Sequence, residues 1–277
     1  AATYLRLGFH DCVPNGDAGG CDGCLNLSNP SNFGLLPAVE ALQPIVTNLE
    51  NPILGVSRAD IWAYAVLVAA DVSQSNLVFT DSFRVGRKNC ETIGTCDARH
   101  QDCSIDGPDQ ATDYPSSDYT THQLLKFMRS HFGFDSDQTV AVMGAHTLGF
   151  AFPHHSGYEG RYGWVSNTQS LDNEYYAYLT GKKTDWTQIQ VPSGKYQWIP
   201  TFGGTPFLML NIDIAIVRDL NEEIQPDGEA TCTFQSPPAS KCPVASTLTK
   251  VDYYAINNVA WLKDFKNVLV IMLEKGI

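Results

Sequence analysis

Two short stretches hold the side chains best able to do chemistry. In Leu5-Arg6-Leu7-Gly8-Phe9-His10-Asp11-Cys12, Arg6 and His10 stand four residues apart. On a helix they share one face, with Phe9 beside them. An imidazole can take up a proton and return it, and a guanidinium stabilises negative charge developing nearby. Arg6, Phe9 and His10 together suit acid–base work on a small polar substrate. The second stretch is Val142-Met143-Gly144-Ala145-His146-Thr147-Leu148-Gly149. It ends an apolar run with one histidine, between glycines that let a flat group approach the backbone. Taken singly, each histidine is more often an exposed or internally satisfied residue. Their combination carries the argument.

The elements that must position these residues can be read from periodicity and punctuation. Residues 2–12 read as a helix, followed by a Gly/Asn/Pro-rich loop over 13–34. A helix over 35–49 has Pro37 in its first turn, and Pro44 predicts a kink or an early end. Residues 57–72 form a strongly apolar helix with Ser57 as N-cap and Asp60 completing a capping box. Residues 77–118 look irregular, with a short strand near 78–83 and cysteines to keep the stretch ordered. Helices follow over 120–132 and from a cap at Asp135 or Ser136 towards His146. A loop over 150–168, a helix over 172–179, a hairpin over 183–205 and a partly helical stretch over 207–220 come next. A Pro/Ser/Cys loop over 224–247 precedes one long closing helix over 253–275. The fold class expected is mainly α with a few short β-strands.

Composition narrows the function classes. Of 277 residues, 43% are apolar and 17% charged, which is globular rather than disordered. The net charge of −12 repels phosphate backbones, so no nucleic-acid partner is expected. No apolar run reaches the roughly 18 residues of a membrane span, so no membrane partner is expected. The chain opens at Ala1 within a helix-like stretch, which predicts a segment upstream. The eight cysteines fall in local clusters within loop-like sequence. They predict disulfides and an oxidising compartment, with Cys232–Cys242 the clearest pair across a short, isolated loop. The rival reading, zinc at Cys21-Asp-Gly-Cys24, lacks a second tight ligand pair.

Arg-x-x-Phe-His-Asp-Cys followed far downstream by Gly-Ala-His-Thr-Leu-Gly resembles the plant, fungal and bacterial haem peroxidase superfamily. The resemblance extends through Asn29-Pro-Ser-Asn32-Phe-Gly-Leu, Val56-Ser-Arg-Ala-Asp60, Ser156-Gly-Tyr-Glu-Gly160, Trp164-Val-Ser-Asn167, Asp172-Asn-Glu-Tyr-Tyr and Phe207-Leu-Met-Leu-Asn-Ile-Asp213. It implies helices sandwiching a haem b, disulfide-stabilised loops and a single domain over 1–277. Its distal and proximal halves would span roughly 1–130 and 131–277, with the family's first helix missing. By the same resemblance His146 is the axial iron ligand, Asp213 accepts its Nδ1–H, and Trp164 lies against the proximal side. A two-residue insertion around Arg161 and Tyr162 leaves Tyr162 as the alternative. Arg6, Phe9 and His10 would act on H₂O₂, with Asn32 holding His10. Asp11, Gly20 and Asp22 match a distal Ca²⁺ site, although Cys24 stands at a serine position and is a poor ligand for a hard cation. Thr147, Asn167 and Asp172 match a proximal site for Ca²⁺ or K⁺.

Departures from the family pattern bear on substrate. Phe9 is typical of secreted members and Trp164 of intracellular ones; the cysteines favour a secreted enzyme. An acidic residue expected of manganese-oxidising members is replaced by Phe152, and an arginine of ascorbate-specific ones by His155. The implied function is reduction of H₂O₂ with one-electron oxidation of small phenolic or aromatic donors, in a response to oxidative stress. The alternative is an extracellular protein of peroxidase fold with a structural or binding role.

Overall fold

The computed structural model describes residues 1–15, 18–50, 55–90, 114–159, 163–181, 185–201, 207–220, 239 and 242–277. The chain falls into two units, Ala1–Tyr114 with Lys266–Ile277, and Pro115–Phe265. Helices dominate, and the only strands among the described residues form two small antiparallel pairs.

In the first unit, α1 (Ala2–Cys12) buries Leu5, Leu7, Gly8 and Cys12. Gly8 is there for contact: a Cβ would lie 2.4 Å from Val66 Cγ2. The buried stripe leaves Arg6 and His10 on another face. Strands β1 (Pro14–Asn15) and β2 (Ala18–Gly19) form a minimal hairpin. Helix α2 (Leu36–Leu49) continues past Pro44, so the early end that was one of the two expectations there does not occur. Pro44 and Glu40, whose carbonyl would have received the missing N–H, both sit on the exposed side, so the lost bond is not a buried one.

Helix α3 (Arg58–Val72) starts with the expected capping box: Ser57 Oγ accepts Asp60 N–H and Asp60 Oδ2 accepts Ser57 N–H. Asp60 is buried and also pairs with Arg87 at 2.9 Å. The strand expected near 78–83 is absent; Thr80–Ser82 is a 3₁₀ turn. Asp71 causes this, accepting the N–H groups of Phe79 and Thr80 and the Thr80 hydroxyl. Disulfides join Cys12–Cys21 and Cys24–Cys90, which removes the thiolates a zinc site at Cys21 and Cys24 would need. Cys242 is disulfide-bonded, but Cys232, its expected partner, lies outside the described residues, as do Cys96 and Cys103.

In the second unit, α4 (Thr121–Phe132) is capped by Thr120 with Gln123 and ends at Gly133 with φ +74°. Helix α5 (Ser136–Met143) is capped by Asp135 and tightens into a 3₁₀ turn, Gly144–Thr147, that carries His146. The short α6 (Pro153–Ser156), α7 (Glu174–Thr180), the hairpin of β3 (Trp186–Gln190) and β4 (Tyr196–Pro200), and α8 (Asn211–Ile214) follow. Trp198 of β4 pairs with Met209, which fixes the start of α8. The closing helix is two: α9 (Leu248–Ile256) and α10 (Asn258–Leu273). Asn257 breaks it, with φ −132° and a side chain that donates to the Tyr253 carbonyl, an alternative to helix that asparagine favours. Among the described residues no helix is long and apolar enough to cross a membrane.

Candidate active site

The first unit assembles one of the two histidine clusters. His10 Nδ1 lies 2.7 Å from Asn32 Oδ1. The Asn32 amide nitrogen donates to the Asn26 carbonyl at 2.7 Å and reaches the Tyr114 hydroxyl at 3.3 Å. With its NH₂ committed, Asn32 can only accept from His10, so the proton sits on Nδ1 and Nε2 is left as the base. Asn32 is 1% exposed, and the 3₁₀ turn Pro30–Asn32, capped by Asn29, aims it. Arg6 is anchored by the same loop, donating to Phe33 O at 2.9 Å and Ser31 O at 2.6 Å. Two of its five N–H groups are thereby used. Phe9 meets His10 edge-on at 5.8 Å between centroids, and Tyr114 stacks on it at 4.7 Å. Burial, reinforced by the Arg6 guanidinium, pushes the His10 imidazole down to about 3, with Asn32 opposing. Neutral His10 is thus ready to receive a proton across the physiological range.

The second unit assembles the other cluster. Asp213, fully buried, accepts from His146 Nδ1 at 2.6 Å on Oδ1 and from Trp164 Nε1 at 2.7 Å on Oδ2. The Leu210 N–H adds a donor to Oδ2 at the start of α8. Trp164 stacks on His146 at 4.5 Å between centroids and 28° between planes. Tyr162, the alternative, lies outside the described residues. Sequence reasoning missed Tyr175, whose hydroxyl donates to Asp213 Oδ1 at 2.8 Å and whose ring stands edge-on to His146. Its one signal was its place in the Asp172-Asn-Glu-Tyr-Tyr segment. Tyr114 beside His10 carried none. Gly144 also has a different reason than expected: a Cβ would lie 2.5 Å from Tyr176 Oη and 2.6 Å from Trp261. Protein, not a flat ligand, presses on it.

The expected cation residues are partly gathered. Asp11 and Asp22 both feel the Arg58 guanidinium, whose Nε donates to Gly23 O at 2.7 Å. Buried Asp11 has one oxygen, Oδ1, with no hydrogen-bond partner. Burial and the nearby Asp22 hold its carboxyl well above the usual range, against Arg58 and the backbone N–H groups of Gly23 and Cys24. Thr147 and Asp172 meet at 3.3 Å, whereas Asn167 turns its oxygen to the N–H of Gln169 in its own loop.

A family model described as peroxidase matches residues 1–219. A putative heme-binding peroxidase of Yarrowia lipolytica is 28% identical over 80% of this chain and 68% of its own length. One of the same description from Candida albicans is 26% identical over the whole chain and 81% of its own length. A mitochondrial cytochrome c peroxidase of Neurospora crassa is 26% identical over 89% of this chain but 54% of its own. With that match covering most of the chain and both histidine motifs, the chain belongs to the peroxidase family, within the haem peroxidase superfamily.

Proposed function

We propose that this peroxidase binds haem through His146 Nε2 and handles peroxide protons at His10 Nε2. One observation carries the assignment: both histidines hold Nδ1 on a fixed acceptor and leave Nε2 free, but the acceptors differ in charge. His146 faces the Asp213 carboxylate, which lends the imidazole anionic character and suits an iron ligand that must support oxidised metal. His10 faces the neutral amide of Asn32, which orients the ring without holding it protonated.

Haem iron, when bound, supplies the two-electron reduction of peroxide and the return of single electrons from donors. His10 Nε2 takes the proton from the bound peroxide oxygen and delivers it to the leaving one, so that water departs. The N–H groups of Arg6 not held by the Phe33 and Ser31 carbonyls stabilise the charge on that leaving oxygen. Phe9 walls this side of the site. Trp164 and Asp213 fix the plane of His146.

Small phenolic or aromatic compounds are the proposed donors, in keeping with Phe152 and His155 at positions where other specificities need acidic and basic side chains. The disulfides support a secreted enzyme. We assign a distal Ca²⁺ to Asp11, Gly20 and Asp22. The partnerless Asp11 oxygen fits it, and Arg58 already offsets part of the charge, so the ion binds weakly. Thr147 and Asp172 would hold a proximal Ca²⁺ or K⁺, with Asn167 turning inward. The whole chain is read as one haem domain. The test is a visible spectrum before and after one equivalent of H₂O₂, then turnover with guaiacol against ferrocytochrome c. A Soret band that peroxide shifts and guaiacol restores is expected. Haem-free folded protein would overturn the haem assignment, and oxidation of ferrocytochrome c alone would overturn the phenolic donors.

A further inference from the structure

Four tyrosines form a continuous file through the second unit, from the side of His146 to the surface. Tyr175 stands 6.0 Å from His146 between ring centroids. Tyr176 follows at 5.1 Å, Tyr254 at 5.3 Å and Tyr253 at 6.0 Å. The first three are fully buried, and Tyr253 is 48% exposed. Packing alone does not account for where their hydroxyls point. A phenol loses an electron easily only if its proton has somewhere to go, and two of the buried phenols are bonded to carboxylates. Tyr175 donates to Asp213 Oδ1 at 2.8 Å and Tyr254 to Asp264 Oδ2 at 2.6 Å. Tyr176, between them, donates to the Val140 carbonyl at 2.6 Å, which cannot hold a proton.

Building on the assignment of haem to His146, we propose that this file is an electron relay. It makes Tyr253 a second oxidation site, for phenolic donors too bulky to enter a pocket. Reduction of one H₂O₂ to two waters draws two electrons and two protons, and two donor phenols supply them in single steps. In each step Tyr175 passes an electron inward while its proton rests on Asp213. Tyr254 refills it across Tyr176, which serves as a bridge, while the Tyr254 proton rests on Asp264. Tyr253 refills Tyr254, and a donor phenol refills Tyr253, releasing a phenoxyl radical and one proton. Both resting protons return with the electrons. Ile256 lies one turn from Tyr253 on α9 and is 82% exposed, an apolar footing for an aromatic donor.

The test uses holoenzyme, one equivalent of H₂O₂ and a nitroso spin trap, with the adduct located by peptide mass spectrometry. In the unaltered protein the adduct is expected on Tyr253. Tyr254→Phe should lose it, whereas Tyr176→Phe, which keeps the bridging ring, should retain it; both should keep the Soret response to peroxide. Tyr253→Phe should oxidise a polymer-tethered phenol several-fold more slowly and guaiacol at the normal rate. A Tyr253 adduct that survives Tyr254→Phe or is lost in Tyr176→Phe, or its absence from the unaltered protein, overturns the relay while leaving the haem assignment intact. A missing Soret response overturns both.

Discussion

Replacing Tyr175 with phenylalanine tests whether the proximal carboxylate is shared. Asp213 Oδ1 accepts from both His146 Nδ1 and the Tyr175 hydroxyl, at 2.6 and 2.8 Å. Two donors on one oxygen divide its electron density, so the phenol weakens the pull of Asp213 on the imidazole proton. Without it, His146 gains anionic character, ferric iron is stabilised, and the Fe(III)/Fe(II) potential moves to a more negative value. A buried hydrogen bond to a charged group is worth about 1.5–3 kcal/mol. If roughly a third to a half of that passes into the remaining bond, the one-electron couple shifts by tens of millivolts, taking about 59 mV per 1.4 kcal/mol.

Trp164→Phe is the internal control, because Trp164 donates to the other oxygen, Oδ2. Its shift should be smaller than that of Tyr175→Phe. The assay is spectroelectrochemical titration of both variants, with haem content and circular dichroism confirming that each folds and loads. Asp213 keeps three donors in Tyr175→Phe, so the loss of stability should stay near the lower end, about 1.5 kcal/mol. An unchanged potential, a positive shift, or a larger effect in Trp164→Phe would refute the sharing.

His10→Leu should retain haem and lose roughly 10²- to 10⁴-fold in the rate with peroxide; a normal rate in stopped flow would remove His10 from proton transfer. Because the His10 pKa is pushed down to about 3, its contribution to that rate should stay flat from neutral pH to about pH 4 and fail only below. Its effect on stability has a different window. An unfolded histidine binds its proton near 6.5, so between 6.5 and 3 the unfolded chain holds more protons and this contribution falls as pH drops. Acid unfolding that is no less steep over that range in His10→Leu would count against the shift. Gly144→Ala, whose Cβ would meet Tyr176 and Trp261, should cost about 1–3 kcal/mol in chemical denaturation. The Cys24–Cys90 bridge spans 66 residues and Cys12–Cys21 spans nine. Removing the first should cost about 4 kcal/mol and the second about 2.5, and the reverse order would refute the loop-entropy account.

What could be read in the sequence was mostly local. Ser57 with Asp60, and Asp135 as a cap, declared helix starts because a side chain and the backbone N–H it binds lie within one turn. Arg6 and His10 declared a shared face for the same reason. The strand expected near 78–83 failed because Asp71, on the preceding helix, captures the backbone groups a strand would have offered. The single closing helix failed at Asn257, whose apolar neighbours kept a helical rhythm while its amide took the Tyr253 carbonyl.

The site's partners lie beyond that local reach. His10 and Asn32 are 22 residues apart, and His146 and Asp213 are 67 apart. No periodicity links residues across such gaps; family motifs alone suggested them. Tyr175 shows where motifs also stop. It and Tyr176 are adjacent, buried and chemically identical, yet one hydroxyl meets a carboxylate and the other a backbone carbonyl. Successive residues on a helix point about 100° apart, so the direction of α7 towards α8 and α5 decides which tyrosine can touch the proximal carboxylate. Sequence pattern fixes the angle between the two rings but not which of them faces Asp213. That choice is made by tertiary packing, and the tuning of His146 depends on it.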